Sequence, residues 1–193
     1  MVPFFAINVY QNEAQATALS AKLKALYPES QISLISDEGP SHLKTADKAG
    51  QWTERWLKAF IAQLAPQANV CIKVDPDVAA VKAVTEFPVA DIFGPLMIFP
   101  DGASLVYGIA MGITRQAAQK ILDSGLLRDA KYTAEGFTYV NSRGVRVSCQ
   151  DLITADIIRR LNLKVAEWQD VHAHAKQPPR NPEQYAFINE LLI

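Results

Sequence analysis

The chain has 193 residues, 49% of them hydrophobic and 20% charged, and its 19 Lys plus Arg almost balance its 20 Asp plus Glu for a formal net charge of -1. That is the composition of a globular domain long enough to bury its own core. It excludes a disordered chain, a disulfide framework (the cysteines are Cys71 and Cys149 alone) and an overall electrostatic footprint for nucleic acid.

No apolar run reaches the roughly 20 residues of a membrane span, and Met1-Val2-Pro3-Phe4-Phe5 has no basic stretch ahead of an apolar one. The expectation is a cytoplasmic protein with no nucleic-acid partner and no membrane span. It forms one domain over residues 1–193, with a tail from 172 to 193 wrapping on it.

Phe4 to Tyr10 is short, apolar and aromatic and reads as a buried strand. Asn12 opens a helix: Asn12 and Gln15 have the spacing of a capping box. Ala14, Ala18, Leu19, Leu23 and Leu26 recur at helical spacing until Pro28 stops it. Gln31 to Ser36 is a second strand, running into the turn cluster Asp37-Glu38-Gly39-Pro40. Ser41 to Gly50 is polar and reads as a loop. Trp52, Trp56, Phe60, Ile61 and Leu64 mark an amphipathic helix ending near Pro66. Val70 to Val74 is a third strand, cut off by Asp75-Pro76-Asp77, with Cys71 as a buried thiol.

Ile92 to Phe99 is extended and broken by Pro95, and Asp101-Gly102 is a hairpin-type turn. Ser104 to Ile113 resumes as a strand. Thr114 caps a helix through Leu122 that Gly125 closes. Tyr132 to Val147 reads as a loop or hairpin, Asp151 to Leu161 as a helix, and Lys164 to Trp168 as a short strand. Beyond His172 the prolines 178, 179 and 182 predict coil before a last short helix.

Alternating strands and helices in the first half argue for an α/β fold with a mostly parallel sheet covered by helices. Ligands of such sheets bind beyond the carboxyl ends of the strands. That rule selects Tyr10, Asp37, Asp75 and Asp77. Asp75 and Asp77 flank a proline that fixes φ and prevents the ladder from continuing. Two close carboxylates repel unless a cation or hydrogen-bond donors lie between them. Mg²⁺ or Mn²⁺, sharing its other positions with phosphate oxygens and water, suits such a pair. A solvated Asp-Pro-Asp turn is the alternative. His172 and His174 offer imidazole to the same ion or are surface turn residues.

Ile72-Lys73-Val74-Asp75-Pro76-Asp77 resembles the DxD segment of the GT-A nucleotide-sugar glycosyltransferases. Other pieces resemble that family in the same order. They are the helix carrying Gly50, Trp52, Arg55 and Trp56; the strand Ala90 to Gly94; Tyr107-Gly108-Ile109-Ala110 with Thr114-Arg115; Gln150-Asp151 opening a helix; and Asp170-Val171-His172. The resemblance implies a single-domain Rossmann-like sheet with a small antiparallel part near the acceptor side. It implies a nucleotide diphosphate-sugar donor and an acceptor that is a sugar, lipid-linked or protein. Its metal would be Mn²⁺ or Mg²⁺, on Asp75, Asp77 and His172.

By the same resemblance Tyr10 and Asp37 would hold base and ribose, and Asp151 would be the base of an inverting reaction. Taken as residues alone, Tyr10 and Asp37 read as turn chemistry and Asp151 as the cap of its helix. Lys48 and Arg55 offer positive charge to a diphosphate. Trp52 and Trp56 share one face and read as core. A nucleotidyltransferase making a nucleotide-sugar is a second reading. It lacks a glycine-rich loop in Val9-Tyr10-Gln11-Asn12-Glu13. A non-catalytic nucleotide or sugar binder with a degenerate site is the third.

Overall fold

The computed structural model describes residues 2–9, 12–36, 46–62, 68–98, 104–106, 109–128, 139–140, 146–147, 150–172 and 181–189. The first strand, β1 (Phe4–Val9), is followed by helix α1 (Glu13–Leu26), β2 (Gln31–Ser36), α2 (Ala46–Ala62) and β3 (Val70–Val74). Short strands β4 (Val78–Ala80), β5 (Ile92–Gly94), β6 (Leu96–Ile98), β7 (Ser104–Val106) and β8 (Ala110–Thr114) come next, then α3 (Arg115–Ser124). The chain continues through β9 (Tyr139–Val140), β10 (Arg146–Val147), α4 (Gln150–Leu161), β11 (Val165–Glu167), β12 (Val171–His172) and β13 (Phe187–Asn189).

Six strands form the central sheet in the order β11-β5-β8-β3-β1-β2. β1 is parallel to both β2 and β3, and β11 is parallel to β5; β8 runs antiparallel between β3 and β5. All five residues of β3 are buried, as expected of a strand covered on both faces. Phe4, Ala6, Cys71, Ile92 and Ile113 pack with Trp56, Leu57 and Phe60 of α2, Ala117 and Ile121 of α3, and Ile153 and Ile157 of α4. The other face presents Phe5, Ile7, Ile72, Val74 and Phe93 to Leu19 and Leu23 of α1 and to Trp168 and Phe187. Each such large apolar side chain contributes about 1.5–3 kcal/mol on burial. Burial in apolar surroundings also raises the Cys71 thiol pKa.

Most predicted elements are present, with informative differences. The α2 helix starts at Ala46, so Ala46 to Gly50 are helical rather than loop. Gly50 is needed there because a Cβ would lie 2.5 Å from the Leu127 carbonyl oxygen. The segment 104–113 is two strands: β7 pairs with β6 as a hairpin, whereas β8 enters the central sheet. Asn12 stands at the α1 N-cap without a side-chain capping bond. Its backbone carbonyl accepts from Ala16 N–H instead, at 3.0 Å. Thr114 does cap α3, accepting from Ala117 N–H at 3.3 Å, and Gly125 closes it at φ 68°. β9 and β10 form the antiparallel pair of a hairpin. The end of the described chain is not a helix: after a 3-10 turn at Pro182–Gln184, β13 lies between β4 and β12.

Candidate functional site

Because β1, β2 and β3 are parallel and in register (Ile7 opposite Val74, Val9 opposite Ser36), their carboxyl ends share one edge. Asp75 follows β3 at that edge. Tyr10 and Asp37, which follow β1 and β2 in sequence, lie outside the described residues. Side-chain alternation along β3 sends Ile72 and Val74 to the α1 face and Cys71 to the α2 face. Lys73 shares the phase of Cys71, and its side chain is only 4% exposed.

The Lys73 ammonium is ion-paired with the Asp75 carboxylate. It also lies 5.3 Å from the centroid of the Trp52 ring, a cation–π distance. Trp52 Nε1–H in turn donates to Asn8 Oδ1 on β1 at 3.1 Å. Asn8, Trp52, Lys73 and Asp75 thus form one connected polar layer above an apolar core. Asp75 is anchored from the other side by its N–H, which donates to the Ile109 carbonyl at 2.9 Å. Pro76 is buried and Asp77 half-buried.

Arg55 lies on α2 at the same edge, where Nη1 donates to the Ser36 carbonyl over a long 3.4 Å. Lys48 belongs to the first turns of α2, and Asp151 to the first turn of α4; their side chains lie outside the described residues. Trp52 and Trp56 are core residues, 2% and 1% exposed.

Asp77 immediately precedes β4, and His172 ends β12. β13 is the strand between them: Ile188 is opposite both Ala79 and His172. Asp77 is two residues before Ala79, in the same alternating phase as His172. From strand spacing and rise, their backbones are roughly 12 Å apart. The His172 ring packs on Tyr185 with centroids 5.0 Å apart. Among the described residues no group of three or more His, Cys, Asp or Glu converges as a metal cluster. His174 lies outside them.

A groove of about 1030 Å³ opens at the opposite, amino edge of the sheet, lined by Asn69, Val89, Asp91, Thr114, Arg115 and Lys164 among others. It is remote from the acidic turn. The sequence reading passed over Asn8 and Lys73. The signal for Lys73 was present, a lone charge inside the apolar strand Val70-Cys71-Ile72-Lys73-Val74, because a lysine is almost never buried without a partner.

No protein-family model matches the sequence, and no curated protein matches it. The fold has solved counterparts. A glycosyltransferase involved in the glycosylation of the major capsid of PBCV-1 superposes with a TM-score of 0.58 at 8% identity, over 98% of this chain and 92% of that one. Drosophila β1,4-galactosyltransferase 7 is similar more distantly. A mutant in complex with manganese, UDP-Gal and xylobiose gives a TM-score of 0.49 at 10% identity, over 97% of this chain and 71% of that one. Its catalytic domain with xylobiose gives 0.47 at 10% identity, over 88% and 66%. The fold is therefore α/β and GT-A-like, with a mostly parallel central sheet flanked by helices and a small antiparallel part.

Proposed function

We propose that the chain is a metal-dependent glycosyltransferase that moves a sugar from a nucleotide diphosphate-sugar donor to a hydroxyl-bearing acceptor. The observation that carries this reading is the acidic turn Asp75-Pro76-Asp77 leaving the carboxyl end of β3, inside the three-strand parallel edge of a glycosyltransferase-like fold. That edge is where an open α/β sheet receives ligands.

The donor set fits a hard divalent ion. Asp77 offers a half-buried carboxylate beside β4, and His172 offers an imidazole on the same small sheet. Asp77 and His172 would hold Mn²⁺ or Mg²⁺, with Asp75 contributing through water or a ribose hydroxyl. When bound, the ion neutralises charge developing on the departing diphosphate. Tyr10 and Asp37 would receive base and ribose, and Lys48 and Arg55 add positive charge. In an inverting reaction the acceptor oxygen bonds to the anomeric carbon as the bond from that carbon to the diphosphate oxygen breaks. The acceptor proton passes to Asp151, and nucleoside diphosphate leaves.

Thermal shift with UDP and GDP, each with and without Mn²⁺, tests the donor site. Stabilisation that needs both components is expected, and none with either nucleotide overturns the reading. Transfer itself is tested by release of nucleoside diphosphate from nucleotide-sugars offered with sugar acceptors. Asp151→Asn should cut that rate by about 10²–10⁴-fold and leave donor binding intact. An unchanged rate reduces Asp151 to a helix cap. Donor binding without turnover in the wild type points to a non-catalytic binder.

A further inference from the structure

Lys73 has no part in the reading above, yet among the described residues it is the most deeply buried charge at the site. Its residue is 3% exposed, in a strand whose other four residues are apolar and buried. A charge in that position is stable only when paired. Its surroundings supply the pairing on two sides: the Asp75 carboxylate, and the face of Trp52 at 5.3 Å. Trp52 is itself held by Asn8 at 3.1 Å. The side chains of the pair differ in depth, 4% exposed for Lys73 against 32% for Asp75. The lysine is thus the fixed member, rooted in the core, and the carboxylate projects from it toward solvent. Asp77, two residues on, closes the turn immediately before β4, whose neighbour strand is β13.

We propose that Lys73 is a positioning residue. Its ammonium holds the Asp75 carboxylate as an internal ion pair at the sheet edge, leaving Asp77 as the aspartate that binds a divalent cation directly. The metal half of this rests on the glycosyltransferase reading; the positioning half does not. Asp75 and Lys73 together carry no net charge, so the site presents one anionic carboxylate from the turn rather than two. A direct bond from Asp75 to a cation would bring that cation close to the lysine ammonium, where like charges repel. Asp75 retains a solvent-facing side suited to a hydroxyl or a metal-bound water.

Two measurements on the full chain separate the halves. In metal-free protein, chemical melts of Lys73→Met, Asp75→Asn and the double variant form a mutant cycle. A favourable coupling between the two sites is expected, with the double variant more stable than the sum of the single losses predicts. Additive losses overturn the positioning role.

In the second measurement Mn²⁺ is titrated alone and followed by the magnetic resonance signal of the free ion. Lys73→Met should bind Mn²⁺ about fivefold more tightly than wild type or better, since it frees a carboxylate and removes a nearby positive charge. Lys73→Met/Asp75→Asn, which removes one charge of each sign, should return to within about twofold of wild type. A lysine that only fills space gives unchanged or weaker binding in the single variant, and that outcome overturns the division between the aspartates. If Lys73→Met does not fold, the neutral double variant carries the comparison: a large loss of Mn²⁺ affinity there identifies Asp75 as a direct ligand. Absence of Mn²⁺ binding in every protein, with the coupling intact, defeats the metal reading and leaves the Lys73–Asp75 strut standing.

Discussion

The two edges of the central sheet use aspartates in different ways. At the amino edge Asp91 ties strand ends together. Its Oδ2 accepts Lys164 N–H at 2.8 Å, its N–H donates to the Lys164 carbonyl at 2.9 Å, and its carbonyl accepts Thr114 N–H at 2.9 Å. At the carboxyl edge Asp75 is paired with a lysine rising out of the core, and Asp77 immediately precedes β4 of a separate small sheet. The amino edge has a groove of about 1030 Å³, but its aspartate carboxylate is committed to a backbone donor. The carboxyl edge holds charge in place through the Lys73–Asp75 ion pair. Open volume marks where the surface is concave; a charge fixed at a strand end marks where a ligand has something to bind.

Asp77→Ala is the sharpest way to break that contrast. It should remove the Mn²⁺-dependent stabilisation by nucleoside diphosphate, with affinity falling at least ~100-fold, since losing even a residue that supports a ligand costs about 10–100-fold. Arg115→Ala, in the amino-edge groove, should change it by less than about twofold. Calorimetric titration of nucleotide in Mn²⁺ buffer reads both. The reverse pattern would transfer the site to the amino edge.

The parallel edge was legible because β1, β2 and β3 are continuous or alternating apolar runs ended by turn residues. The acidic turn was legible because Asp-Pro-Asp stops a strand. What escaped depends on partners distant in sequence. β8 is Ala110-Met111-Gly112-Ile113-Thr114, and nothing local says that it inserts antiparallel between β3 and β5. β13 is three residues long and is a strand because β4 and β12 flank it. Lys73 was visible as an anomaly, but Trp52, which packs against it from α2, is 21 positions back in the sequence. The candidate residues Tyr10 and Asp37, and the side chains of Lys48 and Asp151, lie outside the described residues.

Gly112→Ala acts inside the sheet, at the boundary between the β1–β3 half that carries the acidic turn and the β5–β11 half. Gly112 on β8 is opposite Phe93 on β5, and a Cβ at Gly112 would lie 2.1 Å from the Phe93 ring. That ring cannot yield easily. It packs against Phe87 and Trp168, with centroids 5.9 and 5.3 Å away. Gly112→Ala should destabilise the protein by about 2–3 kcal/mol, read as a lower midpoint in urea with an unchanged slope. Nucleotide binding by the folded fraction should persist, because the substitution lies between β3 and β5 and removes no polar group of the carboxyl edge. Loss of binding in still-folded protein would show the two halves to be coupled.

The smallest effect comes from an ion pair that contrasts with Lys73–Asp75. Glu54 on α2 receives Arg128 through Nε at 2.9 Å and Nη2 at 2.6 Å, and Lys58 also lies 2.6 Å from it. Here the cation is at the surface, with the Arg128 side chain 69% exposed. The hydrogen bond from Arg128 is the main cause holding the Glu54 carboxyl below its ordinary value of 4.5; burial opposes it, and Lys58 adds to the lowering. A carboxylate whose pKa is depressed by folding stabilises the fold above its unfolded value, and the contribution fades as pH falls through the folded value. Arg128→Gln should therefore melt slightly below wild type at neutral pH, by the small amount of a surface pair. The difference should close as pH falls below about 4.5, and high salt should narrow it. The Lys73–Asp75 pair, shielded from solvent on the lysine side, should keep its coupling in the same salt. If salt erases both equally, Lys73 is wetter than its burial implies, and the distinction between a surface clasp and a core-rooted strut fails.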